Sequence, residues 1–164
     1  MSSTLDLEAL FRDAAGDVYA YARTLLRDDG AAEDVTAQAF ERAHRRRQRY
    51  DPRKGTPRAW LFTIARNTAL DELRRRSRTA ALTTDLPDDA PGFEDDIDDA
   101  VRRAAVRAAL AGLEPREREV IALKFHGGLT NAELARALGM SESNAGTRVH
   151  RAVTKLREAC HALA

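Results

Sequence analysis

Apolar residues recur every three or four positions along almost the whole chain, and the recurrence fails once, between about Thr79 and Asp98. Helical periodicity on both sides of a single gap describes two groups of amphipathic helices on a tether. At 164 residues either half has roughly 70, enough for a modest core of its own. Ala, Arg and Leu dominate and aromatic residues are few, which favours helices with wet outer faces over a sheet. The expected fold class is all-α, with two small helical domains at 5–78 and 99–162 and a flexible acidic linker at 79–98.

The first half reads as four helices. Leu7, Leu10, Phe11 and Ala14 share one face, followed by Val18, Tyr21, Ala22, Leu25 and Leu26, up to a break in "RDDGA" at Gly30. A third helix from about Ala31 carries Val35, Ala39, Phe40 and Ala43. Pro52, Gly55 and Pro57 then mark a loop, and a fourth helix opens at about Pro57 with Trp60, Leu61, Ile64, Ala65, Ala69, Leu70 and Leu73.

The formal net charge of +1 hides a sharp segregation. Arg42 to Arg78 holds thirteen basic and three acidic residues, whereas Thr79 to Val101 holds eight acidic residues and no basic one. The acidic stretch also contains Pro, Gly and Thr, so it is expected to repel itself and remain extended. In the free protein it is further expected to screen the arginine-rich surfaces.

Beyond the gap, Val101, Ala105, Val106, Ala109, Leu110 and Leu113 restart the helical pattern, and Pro115 opens a helix carrying Val120, Ile121, Leu123 and Phe125 up to Gly127 and Gly128. Thr130 with Glu133 makes a capping box for a short helix that ends at Gly139. Ser141 can cap a last helix whose inner face is Ala145, Val149, Ala152 and Leu156. A short helix, a glycine turn and a second helix with small residues at the crossing form the helix-turn-helix pattern. Ser143, Asn144, Thr147, Arg148, Arg151 and Lys155 then lie on the outward face, where they suit phosphates and base edges. The bland alternative is a tight helical hairpin with a solvated basic face. Gly146 in the middle of the reading helix supports it, since glycine costs about 1 kcal/mol there and offers no side chain to a base.

The basic stretch interleaves Tyr50, Trp60 and Phe62 with arginine and lysine, a combination suited to unpaired bases that stack while cations track the backbone. Phe62 serves equally well as a core residue and Trp60 somewhat less so, and "ELRRRSR" has its own alternative as a solvated helix end. Cys160 is the only cysteine, which excludes an internal disulfide. His44, His126, His150 and His161 show no ligand spacing, and no phosphate loop or paired nucleophile and base appears, so an enzyme, a cofactor and a metal site are not expected. With no signal peptide and no apolar run of spanning length, a soluble cytoplasmic protein is expected.

The segments "LEALFRDAAGDVYAYARTLLRDDGAAEDVTAQAFERA", "GTPRAWLFTIARNTALDELRRRSR", "LAGLEPREREVIALKFHGGLTNAELARALGMS" and "TRVHRAVTKLREA" resemble the extracytoplasmic-function sigma factors of bacterial RNA polymerase, across nearly the whole chain. The resemblance implies a dissociable promoter-specificity subunit with no catalysis of its own. It implies binding to the clamp of the largest polymerase subunit through Asp34, Gln38, Glu41 and Arg42. It also implies capture of the unpaired minus-10 strand by Tyr50, Arg53, Lys54, Thr56, Arg58, Trp60, Arg66, Asn67, Asp71, Arg74 and Arg75. Reading of the duplex minus-35 element falls to Ser143, Asn144, Thr147, Arg148 and Arg151, in a domain that also touches the flap of the second-largest subunit. An anti-sigma factor is an expected partner, no membrane is, and the free protein is expected to be a monomer with no regulatory domain after Ala164. The chain departs from the family's common pattern at Ala37 and Gln38, at His44 where tryptophan is frequent, and at Gly146 where a cation is frequent. A stand-alone helix-turn-helix regulator, which would dimerise on a symmetric duplex, and a protein-binding helical adaptor are the rival readings.

Overall fold

A computed structural model describes residues 5–79 and 97–162. Among them it forms the helices α1 (Leu7–Leu26), α2 (Asp29–Arg45), α3 (Pro57–Thr79), α4 (Ile97–Ala111), α5 (Pro115–Phe125), α6 (Asn131–Leu138) and α7 (Glu142–Ala162), with a single 3-10 turn at Arg47–Arg49. No strand occurs among the described residues. The expectations for the acidic tether fall largely on residues 80–96, outside those described; Thr79 closes α3, and Asp98 belongs to the first turn of α4.

The first half contains three α-helices where the sequence pattern suggested four. Ala14, Val18, Tyr21, Ala22 and Leu25 bury one continuous face, so α1 runs straight through the exposed Gly16. A glycine in a helix costs about 1 kcal/mol, too little to end a helix that buries this much apolar surface. The break lies before Gly30, not at it. Arg27 adopts the left-handed conformation at φ 55°, and the Asp28 carboxylate then caps α2 by accepting from the Ala31 N–H at 2.9 Å. Tyr19 and Arg23 both donate to Asp29, at 3.1 and 2.5 Å, tying the corner together. These hydrogen bonds hold the Asp29 carboxyl below its ordinary pKa.

Helices α1, α2 and α3 enclose a core of Val18, Tyr21, Val35, Leu61 and Phe62, all fully buried. Phe62 meets the Tyr21 ring edge-on at 5.8 Å, so of the two aromatic residues on α3 that could have faced DNA, this one is core. The Tyr21 hydroxyl is buried and finds no hydrogen-bond partner among the described residues. Burial, and then the nearby Glu119 carboxylate, push its pKa far above the usual value.

In the second half, Glu117 accepts from the Glu114 N–H at the start of α5. Val120, Ile121, Ala122 and Leu123 pack inward from that helix. Arg118 gathers the carbonyls of Leu110, Ala111 and Leu113, at 2.9, 3.1 and 3.0 Å, and so closes the C-terminal end of α4. Ala109 near the end of α4 and Leu113 just beyond it are buried, whereas Val101 and Val106 of the expected inner face are exposed. Phe125, at the end of α5, is exposed as well.

Candidate nucleic-acid interface

The helix-turn-helix is built as its sequence suggests. Thr130 and Glu133 form the capping box of α6, Gly139 takes the left-handed conformation at φ 67° that ends it, and the Ser141 hydroxyl accepts from the Asn144 N–H at 3.1 Å to start α7. Lys124 fixes the preceding turn by donating to the Leu129 carbonyl and the Asn131 amide oxygen, at 3.0 and 3.2 Å. Ala145 and Ala152 are buried, Val149 and Leu156 pack against them from the flank, and small residues thus let α7 cross close to α5 and α6. Ser143, Asn144, Thr147, Arg148 and Arg151 are all exposed along the opposite side of α7. Lys155 follows them but is engaged by Glu117.

Gly146 is half-buried beside the start of α6, and a Cβ placed on it would meet the Asn131 amide nitrogen at 3.4 Å, an ordinary contact. Its effect is therefore on helix stability more than on base contact. Gly146→Ala is expected to stabilise the protein by about 0.5–1 kcal/mol. A thermal melt followed by circular dichroism checks this; an unchanged or lower midpoint would mean that α6 and α7 cannot accept the methyl group.

The basic loop is ordered by local bonds. Asp51 accepts from the backbone N–H and then the guanidinium of Arg53, which lower its pKa. The Tyr50 hydroxyl donates to the Gly55 carbonyl at 3.0 Å, and its ring lies edge-on to Trp60 at 5.6 Å. Trp60 is thus partly exposed and braced from one side. On α3, Trp60, Asn67, Asp71 and Arg74 follow one stripe: at roughly 100° per residue they fall within an arc of about 60°. Asn67, Asp71 and Arg74 are exposed, as are Arg53 and Lys54 in the loop. Arg75 lies to one side and is held by Glu72 at 2.7 and 2.9 Å.

The remaining candidates of this group turn toward the C-terminal half. The Thr56 hydroxyl caps α3 by accepting from the Ala59 N–H and donates to Glu133 at 2.8 Å. Arg58 donates to the carbonyls of Gly127 and His126, at 2.6 and 2.9 Å, and to Asp17 at 2.5 Å, with its guanidinium 5.3 Å from the centre of the Phe62 ring. Arg66 pairs with Glu119 and reaches the Ala137 carbonyl at 3.4 Å. His126 itself contacts Thr24 at 3.3 Å, and burial lowers its pKa. Sequence spacing carries no signal for Asp17, Glu119 or the three carbonyls as partners, because they come from elements brought together only by the fold.

On α2, Asp34, Gln38 and Glu41 are exposed on one face, spaced as successive turns. Arg42, beside them, crosses to α3 and donates to Thr68 and Asp71, at 3.2 and 3.1 Å. His44 is exposed and its carbonyl accepts from Arg47.

A three-helix N-terminal bundle with a basic aromatic helix is followed by a helix-turn-helix, an arrangement suited to binding DNA. Residues 10–79 match the family described as Sigma-70 region 2, and residues 103–156 match Sigma-70, region 4. The chain is 34% identical over 160 residues to the ECF RNA polymerase sigma factor SigK of Mycobacterium ulcerans, covering 93% of this chain and 84% of that one. It is also 34% identical over 155 residues to SigL of Mycobacterium tuberculosis, covering 92% and 86%. Among solved structures it is similar to the sigma factor RpoE in complex with the anti-sigma factor NepR from Bartonella quintana, with a TM-score of 0.76 at 23% identity and 93% and 94% coverage. It is likewise similar to CnrH in complex with the cytosolic domain of CnrY, with a TM-score of 0.68 at 26% identity and 95% and 88% coverage. The chain belongs to the extracytoplasmic-function sigma factors, non-enzymatic subunits that act in promoter recognition and transcription initiation.

Proposed function

We propose that 5–78 is the polymerase-clamp and minus-10 domain, that 79–98 is a connector, and that 99–162 reads the duplex minus-35 element. The observation that carries this is the separation of two chemistries. An aromatic and polar stripe with Trp60, Asn67, Asp71 and Arg74 adjoins the basic loop in one half, and an exposed donor-rich helix face runs from Ser143 to Arg151 in the other. Unpaired bases gain about 1–3 kcal/mol each on an aromatic platform, which offsets the few kcal/mol lost when they leave the stack. Asp34, Gln38, Glu41 and Arg42 are the proposed contacts to the clamp of the largest subunit, and the C-terminal domain is proposed to meet the flap of the second-largest. The partner proposed to restrain the protein is an anti-sigma factor, such as the NepR bound to the similar sigma factor RpoE. The free protein is proposed to be a cytoplasmic monomer; among the described residues no helix is long and apolar enough to cross a membrane.

Binding to a fluorescent forked-promoter library, with and without bacterial core polymerase at fixed salt, tests the reading. Specific binding is expected only with polymerase. Tight binding to a two-fold symmetric duplex without polymerase would instead make this a stand-alone regulator.

A further inference from the structure

At roughly 100° per residue, Asn144, Arg148, Arg151 and Lys155 fall within an arc of about 60° on α7, so Lys155 continues the proposed duplex-reading face by one further turn. Lys155 shares the position of the other cations on this face but not their freedom. Arg148 and Arg151 have no ion-pair partner among the described residues, whereas the Lys155 ammonium donates to Glu117 at the start of α5. That hydrogen bond, and then the charge of the same carboxylate, raise the Lys155 pKa.

Glu117 is itself held in place. Its other carboxylate oxygen accepts from the Glu114 N–H at 3.4 Å in the capping box of α5, and its side chain is 21% exposed against 54% for Lys155. A pair so open to water adds little to stability. Its consequence lies in binding. A free cation that meets a phosphate displaces a counterion and gains the whole contact, whereas a lysine already on a carboxylate exchanges one anion for another.

We propose that Glu117 sets the duplex affinity of the C-terminal domain: by holding Lys155 it withholds one cation from the phosphates, while Asn144 and Arg148 stay free to meet base edges. The inference rests on the assignment of α7 to duplex reading. Phosphate contacts supply most of the non-specific affinity and carry no sequence information. A carboxylate that removes one of them raises the share of binding that depends on sequence.

The test titrates full-length protein into a fluorescent mixed-sequence duplex of roughly 20 base pairs and reads anisotropy between about 50 and about 200 mM salt. Glu117→Gln keeps an oxygen for the Glu114 N–H and releases Lys155. It should steepen the slope of log K against log salt by about 0.9, the value for one added phosphate contact, and tighten binding by roughly tenfold at the lower salt and about threefold at the higher. Glu117→Gln combined with Lys155→Gln should return both quantities to their wild-type values. Glu158→Gln is the control for net charge. Glu158 is exposed in the next turn of α7 and has no ion-pair partner among the described residues, so its removal frees no cation and should leave the slope unchanged.

A Glu117→Gln slope equal to that of wild type, a gain that survives Lys155→Gln, or an equal gain from Glu158→Gln overturns the capture of Lys155. Arg148→Ala in the same assay separates this outcome from failure of the underlying reading. If Arg148→Ala weakens duplex binding and Glu117→Gln leaves it unchanged, only the inference falls. If neither variant alters binding, the duplex does not lie on α7 and the assignment of that face falls with it.

Discussion

Trp60→Ala is expected to slow promoter opening by the holoenzyme by roughly 5- to 150-fold, the equivalent of one lost base stack at about 1–3 kcal/mol. Affinity for a duplex carrying only the minus-35 element should be unchanged. Trp60 is partly exposed, is braced by Tyr50, and begins the stripe that continues through Asn67, Asp71 and Arg74. It is therefore positioned to receive a base, and duplex DNA offers no unpaired base to stack on it. Trp60→Phe keeps an aromatic face and should recover most of the opening rate, which separates lost stacking from lost packing against Tyr50. Arg148→Ala should do the reverse, weakening duplex binding by about 1–3 kcal/mol while leaving the opening step little changed once the complex has formed. Fluorescence of a base analogue in the minus-10 region reports opening, and anisotropy of the labelled duplex reports binding. Equal losses in both assays for both variants would defeat the division of labour between the two halves.

The largest effect on stability is expected from Gly127→Ala. A Cβ on Gly127 would stand 2.3 Å from the Leu123 carbonyl oxygen, a backbone atom of the helix that Gly127 follows, and no rotamer change relieves that clash. The end of α5 would have to shift, and the Gly127 carbonyl that receives Arg58 would shift with it. A loss of about 2–4 kcal/mol is expected, at the upper end for overpacking because backbone must move. Gly16→Ala is the matching control, since it is exposed in mid-helix with nothing within 4 Å of the added methyl. It should gain about 0.5–1 kcal/mol. Chemical denaturation with both variants decides the matter: a Gly127→Ala protein as stable as wild type would mean that the end of α5 yields freely.

Local rules account for most of what the sequence revealed. Capping residues and glycines act within a turn of themselves, so Pro57, Pro115, the Thr130 and Glu133 box, Gly139 and Ser141 mark real helix ends. The same rules misplaced the first corner. The pattern divided the first helix between Ala14 and Val18 and put a break at Gly30, but continuous burial carried α1 through the first division, and the Asp28 cap placed Gly30 inside α2. Periodicity also cannot say which apolar face finds a partner. Phe62 became core, Trp60 is partly buried at the core's edge, and Val101 and Val106 were left uncovered on α4. The candidate interface was legible by residue type and not by neighbour. Nothing in the spacing of Thr56, Arg58 and Arg66 indicates that residues 53 to 77 positions away would take up their donors.

Arg42 stands with the exposed residues of α2 yet spends its hydrogen bonds on Thr68 and Asp71 of α3. A protein surface that draws this guanidinium toward itself releases Asp71, which belongs to the proposed strand-holding stripe, from one of its two ion pairs and leaves it with Arg74 alone. Thermodynamic reciprocity then requires that whatever grips Asp71 alters the affinity of α2 for its partner by the same factor. Through one side chain, holding the enzyme and holding the opened strand become two readings of a single equilibrium.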